Sequence, residues 1–171
     1  LAITNWHASH GFSPKTGERT VPGQGGWVRY PVGEDDELSG THVFPRTDPA
    51  IIVGVVDDQD RILLGANARW GAGRYSVLAG FVEPGESFEA AVIREVHEES
   101  GLVVTDPLYL GSQPWPFPAS IMIGFSARVA AGTDPTPIPD GIEIVDLRWF
   151  SRDDIADGVR DFGIPNRTSI A

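Results

Sequence analysis

Three glutamates crowd the end of one predicted helix: Glu95, Glu98 and Glu99. At about 100° per helical residue they fall within roughly 100° of one another. The same arc holds the apolar stripe of the helix, formed by Phe88, Ala91 and Val92. Mg²⁺ prefers carboxylate oxygens and completes its shell with water and substrate phosphates. The cluster therefore indicates a divalent-cation site, and a solvated acidic face is the alternative.

Local energetics do not favour this cluster. Each like-charge pair at helical spacing costs about 0.2–0.5 kcal/mol. The helix macrodipole disfavours each anion near a C-terminus by about 0.3–1 kcal/mol. A bound divalent cation reverses the sign of both effects, because the acids are then attracted to it.

The helix that carries these acids is predicted over 88–100, with Ser87 as its N-cap and Gly101 beyond its last turn. A short helix is predicted from 151 or 153 to 156. Mostly strands with two helices indicate an α/β (α+β) fold, an α/β/α sandwich with a mixed sheet. Apolar and β-branched runs predict the strands, at 51–56, 61–64, 75–79, 103–104, 108–110, 120–129 and 145–150.

Composition changes sharply at Pro49. Residues 1–48 are rich in Gly, Pro and Thr and contain one strand-like stretch, at 26–30. Residues 132–141 are predicted as a loop, because three prolines there cannot continue a ladder. We therefore expect a small β region over 1–48 and the main domain over 49–171.

Overall composition limits the function classes. The chain has 171 residues and a net charge of -11, which opposes adhesion to long nucleic acids or anionic lipid. The longest apolar run, 50–56, is too short to cross a bilayer. There are no cysteines, and the first residue is Leu1. We expect a fragment of a longer cytoplasmic protein with no membrane contact.

From Gly80 to Leu102 the sequence resembles the Nudix box at every defining position. The pattern is Gly, five residues, Glu, seven residues, Arg-Glu, an aliphatic, any residue, Glu-Glu, any residue, Gly and an aliphatic. Nudix enzymes hydrolyse a nucleoside diphosphate linked to another moiety, with Mg²⁺ or Mn²⁺ held by the helix glutamates. The resemblance thus implies this fold and a Mg²⁺ or Mn²⁺ cofactor.

The resemblance also implies roles for the box residues. Glu95, Glu98 and Glu99 would bind the metal, and Glu98 or Glu99 would also activate the attacking water. Arg94 would orient carboxylates, and Glu86 would support the ligands from behind. A surface arginine and a simple loop acid are the alternatives for the last two.

A second motif, Ser112 to Ser120, resembles the signature of the NADH pyrophosphatase branch of the family. It interleaves three prolines with Trp115 and Phe117, whose rings are suitable platforms for a flat heteroaromatic ring. The resemblance implies substrate contacts at Gln113, Trp115 and Ser120. Aromatics packed in the core are the alternative.

Further residues are assigned by the same resemblance. Phe81 matches a ring that stacks on the substrate base, and Ala171 matches a backbone contact to substrate. Glu143 matches an additional metal ligand, with Asp146 as the runner-up. Phe44 matches an aromatic that reaches the site of a partner subunit, because these enzymes resemble obligate homodimers.

The chain departs from the branch in its first region. A four-cysteine zinc ribbon commonly stands there, but this chain has no thiolates and only His7 and His10 nearby. We expect no zinc and a degenerate ribbon held by Trp27, Tyr30, Phe12 and turn glycines.

The resemblance implies hydrolysis of NADH or NAD⁺ to nicotinamide mononucleotide and AMP, and removal of NAD caps from RNA 5′ ends. NAD would be a substrate, since the sequence has neither a phosphate-binding P-loop nor a Rossmann glycine motif. Hydrolysis of ADP-ribose or dinucleoside polyphosphates is the alternative within the enzyme class. A non-catalytic module that senses ADP-ribose or NAD is the alternative outside it.

Overall fold

The computed structural model describes residues 1–33, 38, 41–71, 73–158, 163 and 169–171. These divide into two units. The first comprises Leu1–Asp48 and Pro114–Ile121, and the second comprises Pro49–Gln113 and Met122–Ala171.

The first unit contains helix α1 (Ala2–Ser9) and a hairpin of strands β1 (Thr20–Gly23) and β2 (Val28–Pro31). The sequence predicted only the second of these strands. Trp6 of α1 is buried, at 2% exposure. Arg29 of β2 is also buried, and its Nε and Nη2 donate to the side chain and carbonyl of Thr20 at 2.6 and 2.8 Å.

The prediction that Phe12, Trp27 and Tyr30 hold this region together is wrong for two of these three residues. Phe12 and Trp27 are 67% and 68% exposed, and Tyr30 is partly buried. Trp6 fills the interior because α1 places its ring there, whereas Phe12 forms an isolated bridge with Arg19 and Trp27 lies in the turn between β1 and β2. The ring nitrogens of His7 contact the Gly26 carbonyl and the Arg29 guanidinium, both at 2.9 Å.

Among the described residues, six strands form one mixed sheet, which lies mainly in the second unit. Their order is β6-β7-β3-β4-β8, and β5 pairs with β3 along 50–53. The remaining helices are α2 (Phe88–Ser100) and α3 (Arg152–Gly158). The strands are β3 (Asp48–Val56), β4 (Ile62–Asn67), β5 (Leu78–Phe81), β6 (Val104–Trp115), β7 (Ser120–Val129) and β8 (Ile144–Phe150).

Helices cover both faces of this sheet. Ala91, Val92 and Val96 of α2 join the main core, which includes Leu63 and Leu147 from the strands. On the opposite face, Ile155 of α3 packs against a cluster of Leu64, Tyr75 and Phe150. The alternation of strand side chains explains the division, because neighbouring residues of β4 point to opposite faces. The predicted α/β/α sandwich is confirmed.

Two predicted elements have the predicted bounds, α2 and β7. The Ser87 side chain accepts a hydrogen bond from the Ala90 N–H, and Gly101 ends α2 with a φ of 68°.

Strand β6 is one long strand where the sequence predicted two short ones. It forms an edge of the sheet, where Pro107 removes no needed ladder hydrogen bond.

Within the described ranges, no helix has the length and apolar character needed to cross a membrane.

The turn between β3 and β4 is stabilised by Asp57, whose carboxylate is buried. Its oxygens accept from the backbone N–H groups of Gln59 and Arg61 at 2.9 Å and from Arg61 Nε at 2.7 Å. Burial raises the pKa of Asp57, but the backbone N–H and guanidinium of Arg61 and the N–H of Gln59 together lower it below its usual value.

We expect Asp57→Asn to lower the free energy of unfolding at pH 7 by about 1.5–3 kcal/mol, because it removes a charged acceptor from this turn. A carboxylate with a lowered folded pKa stabilises above its unfolded pKa, and that stabilisation is lost as pH falls through the folded value. Urea unfolding across pH 7 to 3 measures the difference. A gap between parent and variant that stays constant through this range contradicts the prediction.

Candidate active site

One guanidinium connects the acids of the Nudix-like segment. Arg94 Nε and Nη2 donate to the two oxygens of Glu86, both at 2.8 Å. Its Nη1 donates to Glu95 at 2.8 Å and to Glu98 at 3.0 Å, and Nη2 also donates to the Phe81 carbonyl at 3.0 Å. All five N–H donors of an arginine are therefore used. The alternative of a surface arginine is excluded by these contacts.

Glu86, in the loop before α2, binds the Arg94 guanidinium through both of its oxygens. Hydrogen bonds from Arg94 and then the Glu83 N–H hold the pKa of Glu86 at about 2. The hydrogen bond to Glu86, opposed by burial and joined by the bonds to Glu95 and Glu98, raises the pKa of Arg94. This bidentate pair fixes the direction of the guanidinium, and with it the positions of Glu95 and Glu98.

Glu99 is the unusual member of the cluster. It is only 6% exposed, and within the described residues its Oε2 atom is buried without a hydrogen-bond partner. Burial, with the charges of Glu95, Glu143, Asp140 and Glu98, raises the pKa of Glu99 to about 8. A buried carboxylate oxygen with no donor is costly to the fold unless a cation or proton reaches it.

Glu95 lies against the backbone of β5. A Cβ at Gly80 would lie 2.0 Å from the Glu95 Cδ and 2.1 and 2.3 Å from its two oxygens. Only glycine leaves room for this carboxylate. Burial raises the pKa of Glu95, although the hydrogen bonds and charge of Arg94 oppose the shift.

A fourth acid faces the same cluster. The charge of Glu143 contributes to the raised pKa values of both Glu95 and Glu99. The Asn67 side chain donates to Glu143 at 3.1 Å. Asp146, the runner-up, hydrogen-bonds instead to Tyr75 and Arg148. Since Tyr75 belongs to the cluster under α3, Asp146 lies on the sheet face opposite to α2.

The donor set fits a divalent cation. The carboxylate oxygens are the hard ligands that Mg²⁺ and Mn²⁺ prefer, and the Oε2 atom of Glu99 has no hydrogen-bond partner among the described residues. In the described part of the chain, no three acidic or histidine side chains are already grouped closely enough to hold a metal. Arg94 explains this spacing, because it draws Glu95 and Glu98 toward its own nitrogens.

The predicted substrate residues fall into two groups. Phe81, Gln113 and Ala171 belong to the second unit, whereas Phe44, Trp115 and Ser120 belong to the first. Phe81 has an exposed ring. The Gln113 side chain accepts from the Ile170 N–H at 2.9 Å, which brings Gln113 beside the C-terminal residue.

Within the first unit, Trp115 and Phe117 make an edge-to-face pair with ring centroids 5.8 Å apart. Both rings are exposed, at 43% and 66%, so neither is a core residue. Phe44 is also exposed, and Ser120 is half-buried. An exposed aromatic pair of this kind is suited to stacking on a heteroaromatic ring.

Sequence reasoning missed three supporting residues. Gly80 was part of the motif, but its contact with Glu95 was not foreseen. Asn67 orients Glu143, and Asp140 accepts from the backbone N–H groups of 142, 143 and 144. The Asp-Gly pair at 140–141 is a turn signal that pointed to a structured loop ahead of Glu143.

Comparison with known proteins identifies the class. The profile of the NUDIX domain matches residues 45–167. The chain belongs to the Nudix family. The Nudix fold predicted from the sequence is therefore confirmed.

Two relatives show which branch of the Nudix family this chain resembles. The NAD-capped RNA hydrolase NudC of Mycobacterium bovis is 46% identical over 154 residues, which cover 90% of this chain and 47% of that protein. The NAD-capped RNA hydrolase NUDT12 of Homo sapiens is 42% identical over 160 residues, covering 91% of this chain and 34% of that protein. This chain thus spans half or less of the length of these relatives. The predicted NudC-like branch is confirmed by these similarities.

Solved structures agree on the fold. A NUDIX hydrolase from Nitrosomonas europaea superposes with a TM-score of 0.61 over 93% of this chain and 85% of its own, at 23% identity. Another from the same organism has a TM-score of 0.54 over 67% of this chain and 79% of its own, at 28% identity.

We expect Gly80→Ala to weaken Mn²⁺ binding by about tenfold to a hundredfold, as is typical when the support of a metal ligand is lost. The new methyl group displaces the flexible end of Glu95, so the fold is retained. Calorimetric titration with Mn²⁺ measures the change. Gly111→Ala is the matched control, because a Cβ at Gly111 meets no atom within 4 Å. Equal affinities in the two variants would show that Glu95 needs no such space.

Proposed function

We propose that the protein is a metal-dependent hydrolase of dinucleotide pyrophosphates, which splits NADH or NAD⁺ into nicotinamide mononucleotide and AMP and removes NAD caps from RNA 5′ ends. The observation that carries this proposal is the buried Glu99 carboxylate, whose Oε2 has no donor in the described structure, inside a cluster of acids. The similarity to NAD-capped RNA hydrolases supports the choice of substrate.

In this proposal Glu95, Glu98 and Glu99 hold the cation, with Glu143 as a further ligand. A Mg²⁺ or Mn²⁺ ion in such a site neutralises pyrophosphate charge and makes water more acidic. Glu86 and Arg94 orient the acids, because their bidentate pair fixes the nitrogen that faces Glu95 and Glu98.

The reaction is attack of water on one phosphorus of the pyrophosphate. A phosphorus–oxygen bond to water forms while the bond to the bridging oxygen breaks, and each product leaves as a phosphate monoester. The water proton passes to Glu98 or Glu99. Glu98 has the more accessible side chain, with 58% exposure. An accessible carboxylate can approach a water near the substrate.

Aromatic rings account for recognition of the two bases. Phe81 and Trp115 are assigned to stacking, and both rings are exposed. Gln113, Ser120 and the backbone at Ala171 are assigned to polar contacts. NAD is then consumed as a substrate and is not retained as a cofactor.

The proposal extends to assembly and location. We assign the protein to the cytoplasm as a homodimer in which Phe44 contacts the site of a second copy. The exposed ring of Phe44 supports that role. Residues 1–48 are assigned to a degenerate zinc ribbon without zinc, ahead of a Nudix domain over 49–171.

Glu98→Gln should lower kcat for NADH by about 10²–10⁴-fold, as expected for loss of a proton acceptor or metal ligand. The fold should survive, because the side chain is exposed and makes one ion pair. AMP released in the presence of Mg²⁺ or Mn²⁺ measures the effect. Glu89→Gln, an exposed acid in the first turn of the same helix, is the matched control.

Several outcomes of this assay contradict the proposal. Near-parental turnover by Glu98→Gln would remove that residue from the mechanism. Hydrolysis of ADP-ribose or diadenosine polyphosphates in preference to NADH would replace the substrate. Binding of NAD without AMP release would identify a sensor module.

We expect Phe81→Ala to raise KM for NADH by about fivefold to a hundredfold, because base stacking on an aromatic ring contributes about 1–3 kcal/mol. The effect on kcat should be smaller, since the Phe81 carbonyl that accepts from Arg94 is retained. Steady-state kinetics separate the two constants. Phe12→Ala removes an equally exposed ring elsewhere and should leave both unchanged.

A further inference from the structure

The loop between β4 and β5 differs from the rest of this acidic chain. From Arg61 to Val82 the sequence contains no Asp or Glu, although the whole chain has 24. The loop itself, residues 68–77, carries Arg69, Trp70 and Arg74. It therefore forms a local cationic and aromatic segment in a protein of net charge -11.

This loop is attached to the acidic cluster. The Ala68 N–H donates to the Glu143 carbonyl at 2.8 Å, one residue after Asn67 donates to the Glu143 side chain. Strand β8, which begins directly after Glu143, packs against α2, and the charge of Glu143 raises the pKa values of Glu95 and Glu99 on that helix. The start of the loop thus lies next to the candidate metal site.

The loop has a defined conformation at both ends. Asn67 accepts the Arg69 N–H on its side-chain oxygen at 2.9 Å and the Trp70 N–H on its carbonyl at 3.0 Å. Near the other end, the Ser76 N–H donates to the Gly65 carbonyl at 3.0 Å. These bonds fix the turn that follows β4 and carries Arg69 and Trp70.

Trp70 is suited to stacking. It is 41% exposed, and the Arg74 Cζ lies 5.6 Å from the centroid of its ring. A guanidinium over one face of an indole orients the ring and adds positive charge beside it. Successive bases of single-stranded nucleic acid bind to such rings, because every base has a π-face.

The two loop arginines are available to phosphates. In the described part of the chain neither Arg69 nor Arg74 forms an ion pair with a carboxylate, and both side chains are exposed. Other arginines are neutralised by acids: Arg46 by Asp48, Arg61 by Asp57, Arg94 by Glu86, Arg148 by Asp146 and Arg152 by Asp60.

We propose that this loop binds the single-stranded RNA that follows an NAD cap, with a base stacked on Trp70 and a backbone phosphate on Arg69. The inference rests on the proposed function and adds a subsite to it. NADH ends at its two nucleotides, whereas a capped RNA continues from the adenosine with one negative charge per nucleotide. The protein's net charge repels those phosphates, so a local cationic contact is needed where the chain leaves the metal site.

The test compares two substrates in three variants. Trp70→Ala and Arg69→Ala are assayed with NADH and with an NAD-capped decamer RNA, and Arg152→Ala is the matched control for loss of an exposed arginine. For capped RNA, Trp70→Ala should lower kcat/KM by about fivefold to a hundredfold. Arg69→Ala should reduce the slope of log KM against log salt by about 0.7, as for one phosphate contact on a single strand. NADH turnover should not change in either variant.

The outcomes separate this inference from the proposed function. If the parent protein hydrolyses neither substrate, the proposed function fails. If the parent hydrolyses both and the loop variants match it on capped RNA, the loop subsite is wrong and the proposed function stands. Equal losses on NADH and capped RNA would also overturn the inference, because the loop would then act on the dinucleotide itself. Fluorescence anisotropy of the capped RNA with each variant, without metal, gives binding independently of turnover.

Discussion

The ion-pair network of Arg94 is the interaction on which the candidate site depends. A planar guanidinium offers five donors in a fixed fork, and the chain supplies an acceptor for each. Glu86, which lies in the loop before α2, accepts two of these hydrogen bonds and so fixes the plane of the guanidinium. The Nη1 nitrogen then points toward Glu95 and Glu98 near the end of the helix. A lysine would supply a point charge without this direction. The network therefore positions Glu95 and Glu98 as well as balancing them.

The Arg94 network gives Glu99 no positively charged partner among the described residues. Arg94 is one cation shared among three carboxylates, and Glu99 is buried beyond its reach. The helix brings Glu99 inward because Val92 and Val96, on the same side of the helix, are fully buried in the core. Hydrophobic packing thus places an acid where local electrostatics oppose it. Such a position persists in a fold when a ligand restores the balance, which is why the deficit of positive charge is informative about function.

Sequence reasoning was most successful where local signals agreed. Ser87, the apolar periodicity and Gly101 determine α2 without reference to its neighbours. The sequence alone could not predict which of Glu98 and Glu99 is exposed, because the strands that a helix packs on determine which of its faces is buried. The choice between Glu143 and Asp146 needed the sheet, whose two faces separate them. In the first unit, residue type did not predict burial: Phe12 and Trp27 are exposed, whereas Trp6, which lies in α1, is buried.

The distribution of positive charge also constrains how an anionic substrate is accommodated. Arg29, Arg61 and Arg94 are committed to hydrogen bonds or ion pairs inside the fold. The net charge of -11 gives no long-range attraction for a polyphosphate, and interactions between exposed charges are largely screened beyond the Debye length of about 8 Å. Under the proposed function, recognition therefore acts at contact, through a cation among the acids, exposed rings and the arginines outside these pairs. This favours small dinucleotides and chain ends over the interior of a nucleic acid, because an end presents its pyrophosphate without burying a long run of phosphates against an acidic surface.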